Sequence, residues 1–578
     1  MNEIPTGLPD FPSPDRDWLR RFGPAVWIAG IACWILEAAA FRQILDSSDA
    51  VSYLDMAHSA MQGHWSALIN GYWSPLYPAL LTLWLAVFRP SPHWVILCTH
   101  LLTVAIFVAT LFCFRYFLHS LLNYQRGLPV RPDSRHVPEG YLTVLGYALF
   151  FWTTFYLPPP FCDRPDVLVV PFVLLAGAAL LRIASPGGSH RHFVLLGCAL
   201  GAGYLSKAVM FPLAFVFLFG VLLIGRGRRM IAGLAISVIC FLAIAAPYIG
   251  ALSKAKGHLT YGEAGRINYA EFVGGARPFA NWQGGPQGVG VPLHPTRQVL
   301  VSPPVYEYAT PIYGTYPPWT DPSYWYQGIS PRINLRRQLD LIHRGLDAYF
   351  GLFFGGLSCV LCALLFLIFV DNPLRAYLRG LLPLAFLWLA PLAAFMLYDL
   401  VHVETRFLGG FLILLFAATF CTAQIPSTVA GKTAAKGICW AAALILCAQI
   451  GWVILHGALR LATVHDFVDW DVSVALHRMG VLDGDRVAAI GDVKAIHVWA
   501  YLAGVEIVSE VPEEGVAEFW AGSPEIRARV FDKFTQAGAR AVVVENVPAP
   551  QAGEWSPVPG TDYFIHILPH SSARKDSN

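Results

Sequence analysis

Charge is what this sequence has least of. Only 13% of its 578 residues are Asp, Glu, Lys or Arg, whereas 56% are hydrophobic and the mean hydropathy is +0.51. So little charge cannot cover a soluble globular surface of this size, and the composition implies a polytopic membrane protein. The net charge of +2 gives no electrostatic case for nucleic acid. Lysine is scarce: eight of the 40 basic residues, within an Ala/Leu/Arg-rich usage that points to a GC-rich bacterium. Ten of the eleven cysteines lie in or at the ends of apolar segments, the other being Cys162, so a disulfide framework is not expected. No cleavable signal is expected either, because the polar N-terminus with Arg16, Arg20 and Arg21 leads into an uncleaved first span. "VLDGDRVAAIG" lacks the spacing of a dinucleotide-binding loop, and there is no internal repeat.

What the chain has instead is apolar length. Runs able to cross a bilayer fall near 24–44, 94–119, 140–157, 166–183, 208–225, 230–252, 349–370, 380–399, 407–424 and 437–458, with a shorter one at 193–206. The segment 75–88, "PLYPALLTLWLAVF", is ambiguous at fourteen residues. If 75–88 stays at the surface and 193–206 crosses, the arginine and lysine clusters of the connecting segments all fall on one side. The expectation is therefore eleven transmembrane helices, a cytoplasmic N-terminus and an outer C-terminus, in a bacterial inner membrane. The outer side collects 45–93, 158–166, a Gly-, Pro- and aromatic-rich loop at 253–346, and the turn 400–406. From about 461 to 570, strand-like "RVAAIGD" and "RAVVVEN" alternate with the amphipathic "SPEIRARVFDKFTQAG", which predicts a small α/β domain on the outer side. Residues 571–578 read as a disordered tail.

Three stretches place polar groups at the outer membrane face. In "ILDSSDAVSYLDMAHSAMQGHW", a helix from about Ala50 aligns Tyr53 with Met56 and Ala60, with Asp49 at or near its N-cap. Asp46 and Asp55 read as solvent-exposed bystanders. In "YLPPPFCDRPDVLVVPF", Asp163, Arg164 and Asp166 precede a span, and in "YDLVHVETRFLGGF", His402, Glu404 and Arg406 form a short turn. Each has an ordinary structural explanation: a helix cap, a local ion pair, a solvated turn. Together they assemble carboxylates and cations at one depth, where polar groups are costly and tend to mark sites. Carboxylates there can act as general base or hold a divalent cation, and arginines can bind phosphate. Lys207, at a break between two apolar runs, is a further phosphate contact or a snorkelling lysine.

These residues resemble the GT-C superfamily of membrane glycosyltransferases, in the branch of protein O-mannosyltransferases and lipid A aminoarabinose transferases. The likeness lies in Asp49 followed by Tyr53 and "GHW", a juxtamembrane "GYWSPLYPALL", Asp166 opening "DVLVVPFVLLAGAAL", Lys207 in "GAGYLSKAVMFP", and Arg406 in "TRFLGGFLIL". It covers residues 20 to about 425 of the GT-C-like region 1–460. The chain departs from the pattern at Ala50, where many members have Glu, and at Ser74-Pro75 in place of Lys-Pro. The resemblance implies transfer of a hexose or pentose from a polyprenyl-phosphate donor to a lipid, glycan or protein acceptor at the outer face, with inversion. It implies Asp49 and Asp166 as catalytic carboxylates, and as metal ligands if a divalent cation is used. Tyr53, Arg164, Lys207, His402, Glu404 and Arg406 would bind substrate. The alternatives are a transporter or flippase of a lipid-linked or anionic substrate, which would show ionisable groups near the midplane, and a non-catalytic scaffold.

Overall fold

The computed structural model describes residues 15–45, 47–158, 165–276, 294, 296–309, 311–371, 374–464, 467–492 and 497–569. The first half supplies α1 (Asp15–Ala40), α2 (Ser48–Met61), α3 (Leu76–Phe88), α4 (Val95–Gln125), α5 (Glu139–Phe155), α6 (Asp166–Ala184), α7 (His190–Ser206), α8 (Met210–Ile224), α9 (Arg228–Lys256) and α10 (Ala264–Phe272). All eleven expected apolar segments are helical. Among the described residues seven helices are long and apolar enough to span by themselves, and a bent pair makes an eighth. The remaining three segments, α5, α7 and α8, are 17, 17 and 15 residues long. The segment expected as a span at 349–370 contains a 75° bend, between Gly356 and Ser358. A π-helical turn through Gly351–Gly356 interrupts it, where the glycines "GLFFGG" weaken helical continuity. At thirteen residues α3 is about 20 Å long, too short to cross, as its sequence suggested.

The shorter α7 presses close on its neighbour α9. Gly197 and Gly201 of α7 form a small-xxx-small face against α9. A Cβ on Gly197 would lie 2.3 Å from the Ser237 carbonyl oxygen, and one on Gly201 would lie 2.7 Å from Ile244. Such faces let helix backbones meet in a bilayer, where no hydrophobic force drives association.

The strands are β1 (Ser134–His136), β2 (Thr296–Leu300), β3 (Val305–Tyr308), β4 (Gln424–Pro426), β5 (Arg486–Ile490), β6 (Glu506–Val511), β7 (Ala541–Glu545), β8 (Ser556–Pro557) and β9 (Tyr563–Ile567). β1 and β4 pair by themselves; the other seven form one sheet ordered β2-β3-β6-β5-β7-β9-β8. The α/β domain expected after 460 is present, but its sheet recruits β2 and β3 from the 253–346 loop, with β3 antiparallel to β6. Side chains alternate across the sheet as a strand requires. Ala488 and Ile490 face a helical layer that includes Phe519, Val530 and Phe534. Val487 and Ala489 face the other way, into a core that contains Tyr53, Trp73 and Tyr77. The soluble sheet is thereby seated on the elements that carry the candidate site.

Candidate active site

Helix α2 begins at Ser48 and is capped by Ser47, whose hydroxyl accepts from the Asp49 amide. The cap therefore falls to Ser47, and Asp49 stands half-buried in the first turn, where the helix dipole favours a carboxylate. The helix has no wet face over its first turns: all residues 50–57 are buried. Asp55, expected in solvent, is 6% exposed. Its carboxylate accepts from the Thr315 amide and hydroxyl, both at 2.9 Å. Burial pushes its pKa up to about 7, against the two Thr315 hydrogen bonds, with the Glu506 charge adding to the rise. Helix periodicity alone missed this because the covering strand of chain comes from 260 residues away. Asp46 lies outside the described residues.

Asn70 builds the next piece. Its side-chain oxygen accepts from the amides of Tyr72 (2.9 Å) and Trp73 (3.0 Å), an Asx turn that fixes both rings. Trp73 and Tyr77 pack edge-on to Tyr53, each at 5.3 Å. The Tyr72 hydroxyl donates to Asn268 of α10 at 2.8 Å. Its pKa is raised by burial first, then by the charges of Asp49 and Glu271. Tyr72 and Glu271 were not singled out from sequence. Tyr72 stood within a quoted motif, but Glu271 carried no signal of its own.

The second group sits at the start of α6. Asp166 is its first residue, 5% exposed. α7 stops at Ser206 because Pro212 must lie in the first turn of the next helix, and Lys207 takes an extended backbone at the break. That turn aims Lys207 at Asp166, where its ammonium pairs with Oδ1. Gly410, whose Cβ would lie 3.2 Å from Val173, lets the helix Gly409–Thr422 press on α6. Arg406, just before that helix, reaches Oδ2 of Asp166 at 3.5 Å through Nε and Glu404 at 2.6 Å through Nη2. His402 pairs with Glu404 at 3.2 Å, and the Lys207 ammonium lies 3.4 Å from the centre of the Phe407 ring. Five residues expected at the site, Asp166, Lys207, His402, Glu404 and Arg406, thus form one connected cluster. Arg164 and Asp163 lie outside the described residues.

Helix α10 ties the two groups together. The Glu263 amide donates to the Gly71 carbonyl at 2.6 Å, Gly262 lies beside Ala208, and Phe272 stacks flat on His402 at 4.5 Å. Val167 and Leu168 share the core of Tyr53 and Tyr77. A narrow crevice lies beside Asp166 and Arg406 in the helical bundle, lined by Trp34, Phe107, Thr103, Thr110, Thr153 and Thr154. Several aromatics of the 253–346 loop serve packing, since Tyr308, Tyr316, Trp319, Trp325 and Tyr326 are buried. Among the described residues no group of three His, Cys, Asp or Glu side chains is placed to hold a metal. Asp166 already carries a cation on each oxygen, which repels a third and does not suit it as a metal ligand.

Charged groups gather at one end of an apolar bundle, beneath the sheet, and the fold is GT-C-like. Residues 136–250 match the model of the family described as dolichyl-phosphate-mannose-protein mannosyltransferase. The fold is similar to that of ArnT from Cupriavidus metallidurans bound to undecaprenyl phosphate, at TM-score 0.51 and 9% identity over 95% of this chain and 97% of that one. The apo state of the same protein aligns at TM-score 0.47 and 12% identity, over 96% and 98%. The archaeal oligosaccharyltransferase AglB from Archaeoglobus fulgidus aligns at 0.45 and 10%, over 91% and 70%. The sequence matches no curated protein.

Proposed function

We propose that the chain transfers a sugar from a polyprenyl-phosphate donor to an acceptor at the outer face of the membrane, with inversion at the anomeric carbon. The observation that carries this reading is the convergence of Lys207 and Arg406 on Asp166 beside a crevice in the bundle. Two cations at that depth suit a lipid phosphate, whose charge grows as the sugar leaves and needs fixed donors. Asp166 holds both cations in place. Asp49 is the general base that takes the acceptor proton, with Tyr53 and Tyr72 shaping its surroundings. Glu404 and His402 orient Arg406. Arg164 remains a proposed phosphate contact from its sequence position. A transporter would place its ionisable groups near the midplane, whereas this cluster sits at helix ends.

Transfer from a panel of polyprenyl-phosphate sugars by purified protein tests the reading. Wild type should turn over at least one donor, and Lys207→Met should lose about 100-fold or more in rate. Full activity in that variant would remove the phosphate role.

A further inference from the structure

At the other end of α6 lies a site the transfer reaction does not use. α6 spans nineteen residues, about 28 Å at helical rise, close to the hydrocarbon thickness of a bilayer. The turn that follows it is therefore at the headgroup level of the opposite leaflet from Asp166. There the structure has a cavity of about 450 Å³ between the end of α6, the start of α7 and Tyr116 of α4. Arg182, Arg191 and His192 line it, and no Asp or Glu does. Arg182 donates through Nε to Ser120 at 2.9 Å and lies over the Tyr116 ring at 5.6 Å. This holds the guanidinium in place, and among the described residues its terminal N–H groups have no hydrogen-bond partner. Arg191 is exposed and makes no ion pair among the described residues. The wall between them is the backbone of Gly187 and Gly188, where Gly187 has φ +85; Arg229 donates to the Gly188 carbonyl from outside. His192 accepts from the Ser189 amide through Nδ1, so the Nε2 of its neutral ring carries the proton and is a donor.

One guanidinium held in place and a second free to reach it, with no carboxylate paired to either among the described residues, face a cavity at headgroup depth and call for a divalent or monovalent oxyanion. We propose that this cavity binds a phosphate group through Arg182 and Arg191, with His192 as a further donor. The cavity is much larger than inorganic phosphate, so the phosphate comes with an organic substituent. Two sources share that chemistry: the headgroup of an anionic phospholipid in the adjoining leaflet, and a soluble phosphomonoester. Surface arginines that only set topology would instead spread charge without a cavity.

Native mass spectrometry of the purified full chain in neutral detergent tests this, with phosphatidylglycerol, phosphatidylcholine and glycerol 3-phosphate as probes. Wild type should retain phosphatidylglycerol above phosphatidylcholine. Arg191→Gln, which breaks no internal contact, should weaken that retention by roughly fivefold, and Arg182→Gln with Arg191→Gln by roughly 25-fold. Arg226→Gln, an exposed arginine outside the cavity, should change nothing. Binding of glycerol 3-phosphate, lost in the same variants, would support the soluble source. Equal retention in wild type and Arg191→Gln, or an equal loss in Arg226→Gln, would overturn the proposal.

Discussion

Asp49 carries the sharpest expectation at the scale of single residues. Ser47 caps α2, so Asp49→Asn removes a charge without removing the cap, and the fold should be retained. Transfer should fall by roughly 100- to 10,000-fold, the range for loss of a general base. A folded variant with unchanged turnover would leave Asp49 as a bystander. Asp166 behaves differently, because it neutralises two cations at once. Asp166→Asn leaves Lys207 and Arg406 facing each other, which should cost up to about 3 kcal/mol. The figure is at the low end for a broken buried pair because Lys207 keeps 23% side-chain exposure. A thermal melt should therefore move in Asp166→Asn and stay in place in Asp49→Asn.

At the scale of elements, the contact of α7 with α9 should be intolerant of size. Gly197→Leu drives a side chain into the Ser237 carbonyl and should destabilise by about 1–3 kcal/mol. Gly250→Ala on α9, with nothing within 4 Å of its Cβ, should be neutral or better; heat inactivation in detergent compares them. The attachment of the 311–326 segment to α2 should depend on pH. Asp55 has its pKa raised from 3.8 to about 7 by burial, so between those values the folded state keeps a proton that the unfolded chain has lost. Stability is then full below the unfolded value and is lost as pH rises through about 7. Asp55→Asn should flatten that part of a stability profile, and an unchanged slope would assign it elsewhere. These two elements also mark what was legible. The apolar runs and the residues that meet at Asp166 are local patterns, and length together with charge bias kept α3 out of the span count, whereas Gly201 and Gly203 suggested a break in the run 193–206 that the continuous helix α7 does not have. The burial of Asp55 was hidden, because the side of α2 that periodicity assigned to water is covered by a remote segment. The bend at 351–357 was hidden too, since hydropathy counts apolar residues without regard to backbone continuity.

At the scale of the whole molecule, the sheet, the aromatic loop and α2 are one construction. Tyr316 donates to Glu510 at 3.1 Å, and the Ile507 amide donates to the Thr315 carbonyl at 2.9 Å. Val472, Trp499 and Ile507 share a core with Tyr53 and Trp319. A chain ending at Thr463 keeps every apolar helix but uncovers that core. It should lose transfer activity and become sensitive to protease within 253–346, as gel analysis would reveal. An active, protease-resistant truncation would reduce the sheet to an accessory.

The pairing of β3 with β6 has a consequence for how the molecule is made. Tyr306 lies opposite Glu510, and Glu307 opposite Ser509, so a strand synthesised early waits for one that emerges some two hundred residues later. Until then it is an exposed edge, open to wrong partners. In the interval the ribosome delivers the apolar helices from Ser358 to Thr463. Completion of the sheet is therefore a late event of biogenesis, and only then does β3 lose its open edge.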